Sequence, residues 1–236
     1  MKETAPSLPP LLYTAEEMKQ LARLWTKAMW NASLWKQVRW LGVPVLQWPT
    51  DLMLMQELIS ELRPRFIIET GLYQGGTAVY YASLLHLLGI EGRVLSIDIH
   101  IQTEARRNIE GTAYRDRILL IEGDSKSVAV HQELQRQLAG ETNVLVCLDS
   151  DHSYSHTLGE LRTFSRYIPV GGYMVLSDTV CEDLADAPNG NPSWKQDSPM
   201  AALREFLKEN PAFVSDPRFD KYLVSFSPGG FLKRVR

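Results

Sequence analysis

Five short apolar runs, each ending in or beside a carboxylate, constrain this chain more than any other feature. They are Phe66-Ile67-Ile68-Glu69-Thr70, Val94-Leu95-Ser96-Ile97-Asp98, Ile118-Leu119-Leu120-Ile121-Glu122, Val144-Leu145-Val146-Cys147-Leu148-Asp149 and Tyr173-Met174-Val175-Leu176-Ser177-Asp178. Continuous apolar runs without polar alternation are strands with both faces covered. Helical patterns lie between most of them, as in Ala78–Leu88, Ser127–Leu138 and Tyr154–Tyr167. The expectation is an α/β fold, a mostly parallel sheet with helices on both faces. The 236 residues suit one domain of this kind with a small extension.

The two ends depart from the alternation. Thr14-Ala15-Glu16-Glu17 reads as a capping box opening a helix. Leu21, Leu24, Trp25, Ala28 and Met29 keep helical spacing after it. Trp40-Leu41-Gly42-Val43-Pro44 interrupts the pattern, Thr50 or Asp51 caps a second helix through Leu62, and Pro64 stops it. Five of the six tryptophans fall between Trp25 and Trp48. Trp25 shares the apolar stripe, whereas Trp30, Trp35 and Trp40 drift off it, which makes them candidates for a substrate lid or a homo-oligomer interface. Residues 1–62 therefore read as an N-terminal helical cover and 63–236 as the core. After a helix from Ser198-Pro199 to Asn210, Tyr222–Phe226 and Phe231–Val235 flank Ser227-Pro228-Gly229-Gly230 as an antiparallel hairpin. Five parallel strands followed by such a hairpin are the arrangement of a Rossmann-like, class I methyltransferase sheet.

Composition removes other classes. A net charge of −3, from 25 basic and 28 acidic residues, argues against a polybasic nucleic-acid binder. Two cysteines, Cys147 and Cys181, make neither a disulfide scaffold nor a zinc ribbon. No apolar run approaches the ~20 residues of a transmembrane span. The start, Met1–Pro6, lacks the apolar core of a secretory signal, so a reducing, cytoplasmic setting is expected.

Open α/β sheets bind ligands at the carboxyl ends of their strands. In the turn Glu69-Thr70-Gly71-Leu72-Tyr73-Gln74-Gly75-Gly76, Gly71 permits a tight bend, and Gly75 and Gly76 permit close approach of a ligand. Tyr73 occupies the middle glycine position of the dinucleotide fingerprint and breaks it. Asp98 ends the second strand, where a carboxylate suits a ribose diol. Asp124-Ser125 either meets an adenine or caps the helix before Ser127. Asp149 and Asp178 lie on adjacent strands and could converge on Mg²⁺, which prefers oxygen ligands. His152, three residues past Asp149, is either a solvated loop histidine or a general base. His152 and His156 lack the glutamate of a zinc protease motif.

Trp40-Leu41-Gly42-Val43-Pro44-Val45, Gln56-Glu57, Ile67-Ile68-Glu69-Thr70-Gly71, Gly75-Gly76-Thr77-Ala78, Leu148-Asp149-Ser150-Asp151-His152-Ser153 and Ser227-Pro228-Gly229-Gly230-Phe231-Leu232-Lys233-Arg234 together resemble the cephalosporin hydroxylase family, also called the rhamnosyl O-methyltransferase family. The resemblance runs from about Trp40 onward. It implies an O-methyltransferase that uses S-adenosylmethionine and Mg²⁺ on a hydroxyl of a sugar, glycolipid or antibiotic acceptor. Carried over, Glu69, Gly71, Gly75 and Asp98 would bind the cofactor, with Tyr73, Gly76, Asp124, Ser125 and Asp149 around it. Asp149 and Asp178 would hold the metal, and His152 would be the base. The family commonly has a Glu-Asp pair where this chain has Ser177-Asp178. Ser177 is the weaker ligand, and Asp151, Glu182 or Asp183 are candidates to compensate. A member that had lost its chemistry and kept a binding role, or an NAD-type oxidoreductase, are the rival readings. Ala187–Pro192 reads either as a lid or as an ordinary surface loop.

Overall fold

A computed structural model describes residues 13–236. In chain order it contains α1 (Ala15–Asn31), β1 (Arg39–Trp40), β2 (Val43–Pro44), α2 (Pro49–Leu62), β3 (Phe66–Thr70), α3 (Gly76–Leu87), β4 (Arg93–Asp98), α4 (Thr103–Glu110), β5 (Ile118–Glu122), α5 (Val128–Leu138), β6 (Val144–Leu148), α6 (Tyr154–Phe164), β7 (Tyr173–Leu176), α7 (Cys181–Leu184), α8 (Pro199–Glu209), β8 (Phe213–Ser215) and β9 (Phe231–Arg234). Seven strands form one sheet in the order β5-β4-β3-β6-β7-β9-β8. The first five are parallel, and β9 lies antiparallel between β7 and β8.

Adjacent residues of each strand serve opposite layers. Ile67, Leu145 and Val175 pack with α2, α3 and α4, while Ile68, Val146 and Met174 pack with α5, α6 and α8. This is why the runs carry no polar alternation. The register pairs Glu69 with Ser96 and Cys147, and Asp98 with Glu122, so the strand ends finish at one edge.

Several local expectations stand. Thr14 and Glu17 exchange both capping-box hydrogen bonds. Ser198 caps α8, and the helix ends before Asn210-Pro211. Others need correction. The hairpin partner of β9 is Phe213–Ser215, not Tyr222–Phe226. Asp51, buried on α2, accepts hydrogen bonds from the Phe226 N–H and the Ser225 hydroxyl, which hold that segment away from the sheet. Leu223 adds a left-handed turn within it. Asp51 is therefore not a cap, and α2 starts with Trp48 at the cap and Pro49 at the first helical position. The apolar stripe of α1 is also not a core face. Leu24 is 67% and Trp25 57% exposed, and Ala22 and Thr26 are buried instead.

The remaining cover tryptophans divide by task. Trp40 stands edge-on to Tyr80 and donates to the Ser83 hydroxyl on α3 at 2.9 Å. Trp48 is 1% exposed and packs against Phe226. Trp30 and Trp35 stack on each other, with centroids 5.4 Å apart.

Candidate active site

A cavity of about 1070 Å³ opens over the carboxyl edge of the sheet. Gly71, Tyr73, Gly76, Asp98, Asp124, Ser125, Asp149, His152 and Asp178 all line it. Eight of the expected site positions thus share one chamber with the expected base.

Gly71, Gly75 and Gly76 are closely packed. A Cβ on Gly71 would lie 1.8 Å from the Asp149 carbonyl oxygen, and one on Gly76 would lie 2.0 Å from that of Pro44. Gly71 makes the expected tight bend, at φ +87°, and both glycines also admit neighbouring backbone, from the end of β6 and from β2. Gly75 does not line the cavity. It takes φ +83° at the cap of α3 and faces the Ile109 side chain. Tyr73 also has positive φ and is half exposed on the turn.

Asp98 is already engaged with this turn. Its Oδ2 accepts from the N–H groups of Leu72 at 2.9 Å and Tyr73 at 3.2 Å, and its Oδ1 accepts from His100 N–H. Its orientation is thereby set before any ligand arrives. Glu69 lies beneath the turn and outside the cavity lining. It accepts from the Ser96 hydroxyl at 2.6 Å. Burial pushes its pKa up to about 7, against the opposing hydrogen bonds of Ser96 and Thr77. Glu69 therefore braces the turn from below.

At the far end Asp124 does not cap α5. Ser127 does so, accepting from Val130 N–H, while Asp124 accepts from Lys126 N–H. The Ser125 hydroxyl donates to the buried Glu160 carboxylate at 2.6 Å. Nε2 of His156 lies 3.4 Å from Glu160. The Glu160 hydrogen bond holds the His156 pKa above its ordinary value.

The acidic centre lies at the ends of β6 and β7. Nε2 of His152 is 3.0 Å from the Asp178 carboxylate and 3.6 Å from that of Asp149. Gln47 donates to Asp149 Oδ2 at 2.7 Å. Burial pushes Asp178 up to about 7, with His152 opposing and Asp149 adding to the rise. Burial alone would lower the pKa of His152, but Asp178, Asp149 and Cys181 outweigh it and hold it well above the ordinary value. Asp178 also has φ +56°, an unfavourable conformation for a side chain with a Cβ. His152 is thus a cavity group and not a free loop histidine.

Ser177 does not join this centre. It lies outside the cavity lining, and the third group beside His152 and Asp178 is Cys181. Of the proposed compensators, Asp151 lines the cavity and accepts from Ser153 N–H, Glu182 pairs with Arg204, and Asp183 lies 3.8 Å from Arg23. A His–Asp–Cys set resembles a zinc site more than a magnesium site. Burial raises the Cys181 thiol above its usual range, however, and a protonated thiol is a poor ligand. The hard pair Asp149 and Asp178 is the better match, and it fits a divalent cation bound through oxygen.

Gln47, Cys181, Trp194 and Phe226 are among the groups at the site that no sequence motif marks. The loop Ala187–Pro192 is tied to α1, since the Trp30 indole N–H donates to the Asn189 carbonyl, Asn189 donates to the Asn31 carbonyl, and Lys27 pairs with Asp186.

This strand order, with its cavity at the carboxyl edge, defines the class I methyltransferase-type α/β fold. The chain belongs to the rhamnosyl O-methyltransferase/CmcI family, whose model matches residues 32–235. Among curated proteins it is similar to a rhamnosyl O-methyltransferase of Mycobacterium leprae, 28% identical over 220 residues, covering 91% of this chain and 90% of the relative. The rhamnosyl O-methyltransferase of Mycobacterium tuberculosis is 28% identical over 209 residues, covering 85% and 80%. Among solved structures, CmcI with Mg and SAM superposes with a TM-score of 0.60 at 21% identity, covering 85% of this chain and 78% of that one. Membership places the chain in a family of O-methyltransferases.

Proposed function

We propose that the chain transfers the methyl group of S-adenosylmethionine to a hydroxyl of a sugar or natural-product acceptor, assisted by Mg²⁺. The observation that carries this reading is the meeting of Asp149, Asp178 and His152 in one cavity with the Asp98 turn. The cavity is as large as the upper end of the roughly 300–1,000 Å³ of single-ligand pockets, which leaves room for a cofactor and an acceptor together. CmcI with Mg and SAM supports the choice of cofactors.

In this reading Asp98 receives the ribose hydroxyls, and Asp124 and Ser125 meet the adenine, with Glu160 fixing the Ser125 hydroxyl. Gly71, Tyr73 and Gly76 form the turn beside the cofactor, and Glu69 and Gly75 keep that turn in place. Asp149 and Asp178 would hold the cation, and Gln47 steadies Asp149. Bound there, Mg²⁺ supplies Lewis-acid stabilisation of the charge that develops on the acceptor oxygen. His152 takes the acceptor proton at Nε2. The carboxylates that raise its pKa are the ones the cation would neutralise, so with their charge countered His152 returns toward the range of a base. Trp30, Trp35, Trp194 and Phe226, which line the same cavity, exclude water while the acceptor oxygen is aligned with the methyl group. Residues 13–62 would act as the cover and 63–236 as the core; residues 1–12, counted with the cover from the sequence, lie outside the described residues. The two cysteines, both unpaired, suit a reducing cytoplasm.

Calorimetry with S-adenosylhomocysteine tests the first step. Saturable binding is expected, and no heat at millimolar ligand would overturn the reading. Methyl transfer assayed with and without EDTA tests the metal. Loss of activity with recovery on added Mg²⁺ is expected, and indifference to EDTA would remove the cation from the mechanism.

A further inference from the structure

The wall of the cavity differs in chemistry from its floor. The floor carries the aspartates. The wall carries Trp30, Trp35, Trp194 and Phe226, with Lys36 and Arg39 beside them. Trp30 and Trp35 stack at 12° between planes, and Phe226 stands edge-on to both at 6.0 Å. The Lys36 ammonium sits 5.1 Å from the Trp35 ring centroid, in cation–π range. Neither Lys36 nor Arg39 has an ion-pair partner among the described residues. Arg39 donates only to the Gly42 carbonyl, at 3.3 Å. The Trp35 indole N–H is buried without a partner, whereas that of Trp30 is satisfied by Asn189.

The polar groups of this wall are therefore all donors. An ammonium, a guanidinium and an indole N–H accept nothing. A neutral sugar presents hydroxyls that donate as well as accept, and a wall of donors alone leaves their protons unmatched on this side. A group made only of acceptor oxygens with negative charge matches donors alone. We propose that the acceptor carries an anionic oxygen group, a carboxylate or a phosphate, held by Lys36 and Arg39. Its ring lies on the Trp30–Trp35 stack and its reacting hydroxyl reaches the Asp149–Asp178 floor. The inference rests on the methyl-transfer reading for the role of the floor and refines its substrate class.

Calorimetry on the whole protein saturated with S-adenosylhomocysteine tests it with three probes: phenyl β-D-glucuronide, α-D-glucose 1-phosphate and phenyl β-D-glucoside. At least one anionic probe should bind more tightly than the neutral glucoside, and which one binds tells carboxylate from phosphate. In the double variant Lys36→Gln with Arg39→Gln that affinity should fall about tenfold or more, while affinity for S-adenosylhomocysteine holds. Equal binding of the neutral glucoside, or no binding of either anionic probe at millimolar concentration, would overturn the proposal. So would a double variant that binds the anionic probe as well as the parent. A matching loss of S-adenosylhomocysteine affinity would also overturn it, because the cations would then serve the carboxylate of the cofactor. If the parent protein binds no S-adenosylhomocysteine at all, the methyl-transfer reading fails instead. Repeating the three probes without it then still tells whether the wall selects an anion.

Discussion

The floor and the wall of the cavity are built by opposite rules. The floor groups Asp98, Asp149 and Asp178 sit at or just beyond the ends of parallel strands, so the sheet register alone brings them to one edge. The wall draws Trp30 and Trp35, Trp194 and Phe226 from three distant stretches of chain, held together by their mutual packing and by hydrogen bonds between Asn189 and α1 and from the Phe226 segment to Asp51. The floor should therefore tolerate almost no backbone change, whereas the wall should yield gradually.

Gly71→Ala attacks the floor at its tightest point. The new Cβ would lie 1.8 Å from the Asp149 carbonyl oxygen, at a residue with φ +87°. Either β3 and β6 separate or the turn rebuilds. A loss of about 4 kcal/mol or more is expected, seen as a chain that is insoluble or melts far below the parent. A variant that folds and melts like the parent would show that the floor is not so closely set.

The next effect is chemical. Asp178→Asn keeps the shape of the side chain and removes its charge. Methyl transfer should fall about 100-fold or more, since a bound cation would lose one of its two carboxylates. The melting temperature should hold, because the buried carboxylate is itself unfavourable, as its raised pKa of about 7 indicates. Normal turnover by this variant would contradict the assignment of the floor.

How much of each region could be read from the sequence follows from the same contrast. Floor residues follow apolar runs at fixed positions, so Asp98, Asp149 and Asp178 were visible as strand ends. His152 came with them by its spacing from Asp149. Wall residues obey no period. Trp194 and Phe226 lie in irregular segments, and Gln47 reaches Asp149 across 102 positions. The same blindness explains the misplaced hairpin strand. Tyr222–Phe226 has the composition of a strand, but the buried Asp51 carboxylate claims its backbone. The glycine turn is legible in the sequence, but the carbonyl of Pro44 that crowds Gly76 is not, since it lies on a two-residue strand that local pattern does not reveal.

Trp35→Ala tests the wall. Removing one ring of the stack should cost about 1–3 kcal/mol, less than a fully buried aromatic, because the residue is only partly buried. Acceptor KM should rise while affinity for S-adenosylhomocysteine stays put. A fall in cofactor affinity of the same size would merge wall and floor into one unit.

Asp51 joins the two regions, since it anchors the Phe226 segment to α2. Burial pushes its pKa up to about 7 from an ordinary 3.8. The folded state then binds a proton more readily than the unfolded state between these values, so this group contributes stability that is lost as pH rises from about 4 to 7. Asp51→Asn removes that contribution. The stability difference between the parent and the variant should shift by at most about 1.4 kcal/mol per pH unit across the window, and stay flat below it. Parallel stability curves across the window would mean that Asp51 is ionised in the folded protein.

The smallest effect is expected outside both regions. Leu24 lies on the helical stripe of α1 that the sequence pattern marks as a packing face, yet it is 67% exposed. Its burial on folding is slight, so Leu24→Gln should change stability by no more than about 0.5 kcal/mol. It should also leave wall and floor untouched, because α1 holds the cavity through Trp30 and the Asn31–Asn189 pair on its last turn, not through this stripe. Melting and S-adenosylhomocysteine affinity measured side by side check both parts. A loss of 2 kcal/mol or more would mean that the stripe is covered in solution, and the exposed face of α1 would then have to be counted with the wall as a packed surface.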